Sequence, residues 1–242
     1  MINMNSRVNK LGGALLSAVL LLAGICPSPA ETTTNVYWDF SGPAGPDKPT
    51  LGTISGLTTA FSFGNAASLN YNASSSSSSY TTAAGFTASA GTNAYVAVRT
   101  GAFDIGTNTY FSFSLSLSLI TGTSYTISDV SLGSRSTGSG PTSLALYSST
   151  DGSSFSAVGS PLAVNQDNNW AAADFSGILI ALPNDGSTVY FRLYGTGSSS
   201  ASSGNWRIDD LAVTMVSVPE PSTVALAMLG GVACLFSFRR KG

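Results

Sequence analysis

The stretch YFSFSLSLSL, residues 110–119, decides the fold. Phe111, Phe113, Leu115, Leu117 and Leu119 fall on alternate positions, and serines fill the positions from Ser112 to Ser118 between them. Successive side chains of an extended chain point to opposite faces, so this period of two places every large apolar group on one side and every hydroxyl on the other. One face belongs to a core. The other meets water.

The same pattern spreads outward. Residues 36–40, 94–99, 144–148, 189–194 and 206–215 each read as a strand. Residues 124–132 alternate with a slip in phase near Asp129, which predicts a bulge. Asp151-Gly152 marks a tight turn ahead of Phe155. Gly, Ser, Asn and Pro separate these runs, no apolar stripe at helical spacing intervenes, and no repeat of fixed period is present. Many short strands joined by such turns predict an all-β, antiparallel β-sandwich of the jelly-roll type over residues 31–217. The serine tracts at 74–79 and 198–203 fall between strands and read as solvated loops, or as glycosylation sites or a lip over a binding face.

Composition narrows the chemistry. Charged residues make up 9% of the chain, against about 25% in ordinary domains. Within 31–217 there are five basic and eleven acidic side chains, a net charge near −6. No basic patch suited to tracking phosphates exists there, which excludes nucleic acid as a partner. The chain has no histidine, and its two cysteines, Cys26 and Cys234, lie in apolar segments at either end. A Ser-His-Asp triad, a thiol nucleophile and the usual zinc sites are therefore excluded from the central domain. Glutamate occurs only at Glu31 and Glu220, so glycan hydrolysis would need a pair of aspartates, and none sits in a telling motif. The expectation is a non-enzymatic protein.

The ends read as addresses. Arg7 and Lys10 precede an apolar run at 11–25, and Ser28-Pro29-Ala30 supplies small residues for cleavage after Ala30. Residues 1–30 are read as a secretory signal peptide. An uncleaved anchor and a lipid-modified Cys26 are the alternatives. At the other end, residues 222–238 carry no charge. At about 1.5 Å per residue they reach roughly 25 Å, the short end of a transmembrane helix. Arg239, Arg240 and Lys241 would remain cytoplasmic as a basic stop. Pro219 and Pro221 keep the preceding joint extended and open to a protease.

Val218-Pro219-Glu220-Pro221-Ser222, the apolar run and the basic end together resemble the PEP-CTERM sorting signal, over residues 218–242. The resemblance implies processing by signal peptidase and then by an exosortase, a membrane-embedded cysteine transpeptidase-like enzyme. It also implies export, a transient inner-membrane anchor through the C-terminal helix, and delivery to the cell surface or an extracellular, polysaccharide-rich matrix. It leaves the central domain's role open. A plain C-terminal anchor is the other reading of the tail.

Two constellations in the central domain bear on ligands. Asn205-Trp206-Arg207-Ile208-Asp209-Asp210 ends the domain and Trp38-Asp39-Phe40 opens it. Together they are similar to the first and last strands of MAM-type and carbohydrate-binding jelly-roll domains. That similarity implies a structural calcium held by Asp39 with Asp209 or Asp210. The residues themselves allow pairing with Arg207 or Arg192 instead. In a regular strand Asp209 and Asp210 would face opposite ways, which predicts one inward carboxylate at most. The second constellation is Asn165-Gln166-Asp167-Asn168-Asn169-Trp170. Asn168, Asn169 and Trp170 are candidate glycan contacts, or else a polar loop closing on a core tryptophan. Trp38, Trp206, Tyr80, Tyr110, Tyr190 and Tyr194 complete the aromatic pool. The leading reading is an exosortase-sorted surface or matrix protein that meets polysaccharide. A dedicated carbohydrate-binding module and an aspartate-dependent glycan-active enzyme are the alternatives.

Overall fold

The computed structural model describes residues 31–40, 54–64, 68–71, 79–88, 96–99, 110–118, 123–167, 169–199 and 204–219. The signal peptide with Ala30, Asn168, and the tail from Glu220 onward, with Pro221, Ser222, Arg239, Arg240 and Lys241, lie outside them, as does most of the tract at 74–79. No helix among the described residues is long and apolar enough to cross a membrane. The compact unit Thr32–Val218 holds the sandwich.

Thirteen strands follow in order among the described residues. They are β1 (Thr33–Trp38), β2 (Leu57–Phe63), β3 (Ser68–Tyr71), β4 (Tyr80–Thr81), β5 (Thr87–Ala88), β6 (Val96–Arg99), β7 (Phe111–Ser118), β8 (Thr123–Ser136), β9 (Ser143–Ser149), β10 (Ser156–Ala163), β11 (Ala171–Leu182), β12 (Asp185–Thr196) and β13 (Asn205–Pro219). One sheet runs β11-β8-β13-β6-β3, with β1 also paired to β13. The other runs β10-β9-β12-β7-β2, and β4 with β5 forms a separate hairpin. First and last strands do meet: β1 pairs antiparallel with the second half of β13, from Thr33↔Val216 to Trp38↔Leu211. The first half of β13 pairs with β6.

The opening stretch behaves as its period demands. Phe111, Phe113, Leu115 and Leu117 are buried, and the serines between them are half-exposed. Across the core they meet the inward residues of the six-stranded sheet. Phe111 packs against Trp206 at 4.9 Å between ring centroids and Phe113 lies 5.9 Å from Trp38. Phe113 also stacks on Phe191 of β12, its neighbour in the same sheet, at 4.8 Å.

Two changes of phase shape the six-stranded sheet. The first is the bulge expected near Asp129. Ile127 pairs with Ile180 and Asp129 with Ser176, so residues 177–179 of β11 stand opposite residue 128 alone. Gly177 takes a positive φ of 69° there, which costs a residue without Cβ little. The second lies in β13. Trp206 and Ile208 face the core, and then Leu211, Val213 and Met215 do. The two residues between them, Asp209 and Asp210, both fall outside the core phase, and Asp210 adopts φ 49°. Both aspartates are buried, and neither belongs to the apolar core cluster. A left-handed residue lets the strand change phase, and aspartate tolerates that conformation better than most side chains.

Candidate functional site

The outer face of the six-stranded sheet carries a buried polar cluster. The β4–β5 hairpin lies over it. Asp210 accepts hydrogen bonds from both sides: the Tyr37 hydroxyl of β1 donates to Oδ1, and the Tyr80 hydroxyl of β4 donates to Oδ2 at 2.7 Å. Asp209 Oδ1 accepts the backbone N–H of Asp210 at 3.0 Å. Tyr37 stacks flat on Phe86 at 3.7 Å, beside the hairpin, and Tyr80 leans on Trp170 at 5.8 Å. Gly133 of β8 lies under the Tyr80 ring so closely that a Cβ would come within 2.1 Å of it. The backbone N–H of Ala83 donates to Asp174 Oδ1 at 2.9 Å. These contacts fasten the hairpin to the sheet.

Burial sets the electrostatics here. Loss of solvent, and then the neighbouring charge of Asp210, push the Asp209 carboxyl up to about 8. Burial, followed by the Asp174 charge, raises Asp129 to about 6. The Tyr37 and Tyr80 hydroxyls are raised above the ordinary tyrosine range, first by burial and then by the aspartates. Asp209 thus keeps its proton in the folded protein up to about pH 8, whereas in the unfolded chain it ionises near about 3.9. Its contribution to stability is complete below about pH 4 and is lost as pH rises through about 8. Asp209→Asn should remove that slope. Melting curves of the variant and the parent should diverge in the variant's favour between about pH 4 and about pH 8.5. A difference that stays constant with pH refutes the assignment.

Asp39, Asp209 and Asp210 were the calcium candidates. Among the described residues no group of three aspartate, glutamate, histidine or cysteine side chains is placed to hold a metal ion. The oxygens of Asp210 are already engaged by two tyrosine hydroxyls.

Of the glycan candidates, Asn169 and Trp170 are among the described residues. Trp170 is 3% exposed, beneath Tyr80 and with the Arg135 guanidinium 5.1 Å from its ring, so it offers no free face to a sugar. Trp38 and Trp206 are core residues. Asn169 turns back on Asp167, donating its backbone N–H to Oδ1 and Nδ2 to Oδ2, both at 2.9 Å.

Half-buried Tyr110, Tyr147, Phe155 and Tyr190 stand on the outer side of the five-stranded sheet, with Tyr194 buried among them. Register places Ser62, Ser112, Arg192, Tyr147 and Ala157 in one row across five strands. Ala60, Ser114, Tyr190 and Ser149 form the next row. The Arg192 guanidinium lies 4.1 Å from the Tyr110 ring and 3.8 Å from the Phe155 ring. Its Nη1 donates to the Tyr194 hydroxyl at 3.3 Å. Tyr110 and Tyr147 meet Tyr194 edge-on at 5.6 and 5.3 Å. The result is a ridge of rings around one fixed cation, beside a strip of small hydroxyl and methyl side chains on β7 and β2. Such a face offers stacking surfaces and hydrogen-bond donors in fixed places. Tyr147, Arg192 and Phe155 were not among the sequence candidates for sugar contact. The signal for Arg192 was present in VYFRLY, residues 189–194, where tyrosines and an arginine occupy the outward phase.

No curated protein sequence matches the chain. Among solved structures it is similar to the xylan-binding domain from CBM 22, at 14% identity, covering 74% of this chain and 92% of that one with a TM-score of 0.39. It is also similar to TmCBM61 in complex with β-1,4-galactotriose, at 14% identity over 67% of this chain and 88% of that one, TM-score 0.32. The K2 cleaved adhesin domain of Lys-gingipain is matched at 15% identity over 74% of this chain and 97% of that one, TM-score 0.36. At the C-terminus, residues 217–241 match the family model of the PEP-CTERM protein-sorting motif. The chain carries that motif, which implies an exported protein, transiently anchored in the membrane and processed by an exosortase.

Proposed function

We propose that this protein is a non-enzymatic component of the cell surface or extracellular matrix that contacts polysaccharide through the outer face of its five-stranded sheet. The observation that carries the reading is the ridge of half-buried Tyr110 and Tyr147 around Arg192, with buried Tyr194 against both, Tyr190 in the next row and serines alongside. Rings stack on the apolar faces of sugar rings, and serine, tyrosine and arginine groups exchange hydrogen bonds with hydroxyls. The motif at 217–241 supports delivery to a place where such polymers lie.

The test is a glycan array probed with the protein recovered from the producing cells, followed by titration of any hit. Tyr147→Ala and Arg192→Ala should each weaken binding about tenfold, the equivalent of about 1.4 kcal/mol. Trp170→Phe, beneath the hairpin on the other sheet, should leave it unchanged. Absence of any glycan bound more tightly than about millimolar rejects the reading.

A further inference from the structure

The sorting motif does not begin after the sandwich. It begins inside it. The motif match starts at residue 217, and β13 runs through Pro219, so the first three matched residues are strand. Ser217 is 5% exposed. Its backbone N–H donates to the Thr32 carbonyl at 2.9 Å, and its Oγ accepts the Thr32 N–H at 3.0 Å. The hydroxyls of the two residues share a further bond of 2.7 Å. From there the ladder continues without a break from Thr33↔Val216 to Trp38↔Leu211. On its other side β13 is bonded to β8, so in this half it is an interior strand, not an edge.

A protease takes its substrate as an extended segment whose backbone is free to pair with the enzyme. Residues just upstream of Pro219-Glu220-Pro221 are not free. Peeling them away would break the Thr32 clamp first and then expose Met215 and Val213, which are fully buried. We propose that the Thr32–Ser217 clamp holds the strand that leads into Pro219-Glu220-Pro221 in the sheet and limits the rate at which the motif is cut. This rests on the reading that an exosortase processes the motif. The bond broken is a peptide bond near Pro219-Glu220-Pro221. Its acyl half stays with the sandwich, passing through the enzyme's cysteine to water or an acceptor amine, and its amine half leaves with the apolar tail. Thr32 and Ser217 touch none of the reacting atoms, so they are positioning residues. Their local opening sets how often the upstream segment can enter the enzyme.

The experiment follows the intact chain in its producing cells by pulse labelling, with the mass of the mature product as readout. Two variants are compared with the parent. Thr32→Pro removes the N–H and the hydroxyl that face Ser217 and leaves residues 217–241 intact. Insertion of a six-residue Gly-Ser spacer between Val216 and Ser217 keeps the ladder up to Val216 and moves the whole motif away from the domain. Both should shorten the half-life of the precursor about three- to tenfold, with the same final C-terminus. Because the spacer breaks no pairing between β1 and β13 up to Val216, it answers the question even if Thr32→Pro folds poorly. Unchanged or slower processing of the spacer variant overturns the clamp. A parent chain whose mass always runs through Gly242 instead overturns the sorting reading, and the clamp with it.

Discussion

Asp210→Ala should lower the stability of the sandwich by about 3–5 kcal/mol, a large share of the roughly 5–15 kcal/mol of an ordinary domain. Two effects add. Hydrogen bonds contribute about 1–1.5 kcal/mol each, and Asp210 accepts one from Tyr37 and one from Tyr80. Its removal leaves two hydroxyls beneath the β4–β5 hairpin without that acceptor. Alanine also fits φ 49° poorly, at a cost of about 1–2 kcal/mol. Asp210→Gly separates the two effects, because glycine accepts the backbone angle and lacks the oxygens. Urea unfolding should place the glycine variant between alanine and the parent. A loss under about 1 kcal/mol for Asp210→Ala means that the tyrosines bond elsewhere and that the hairpin does not depend on this residue.

The second large effect lies in the opening strand. Phe113→Ala should cost about 3–5 kcal/mol. Phe113 is 1% exposed and its ring touches the two sheets at once, Trp38 from one and Phe191 from its own. The cavity left behind is walled by aromatic rings held in opposite sheets, which cannot close over it easily. Ser114→Ala, one position along and on the outer face, should change stability by less than about 0.5 kcal/mol. Comparable losses at the two positions would contradict the inward and outward assignment of β7.

Strand β7 was legible because a strict period of two survives without interruption from Phe111 to Ser118. Strands β1, β6, β9 and β12 were legible in part, and the neighbourhood of first and last strands came from the resemblance to jelly-roll domains. β11 was missed because Gly177 and its bulge break the alternation into Ala173 and Phe175, then Ile178 and Leu182. β10 was missed because most of it is exposed and it carries Gly159 and Pro161. The site was less legible than the fold. Trp170 looked available because it follows polar residues, yet a tryptophan that size is drawn under the hairpin by Tyr80 and Arg135. The paired aspartates were read as a regular strand, and the shift of apolar phase from Ile208 to Leu211 was the sign that they are not.

With only 9% charged residues, the chain has few lysines to guard the borders of its sheets. β11 and β3 border one sheet, β10 and β2 the other, and the long borders β11 and β10 share a feature. Each is kinked: β11 between Ser176 and Ile180, β10 between Val158 and Leu162, with Gly177 and Gly159 at φ 69° and 68° and with Pro161 withholding a donor. A bent border offers another chain only a short template for pairing. At these two borders irregular backbone takes the place of charge as the barrier to fibril-like pairing between copies.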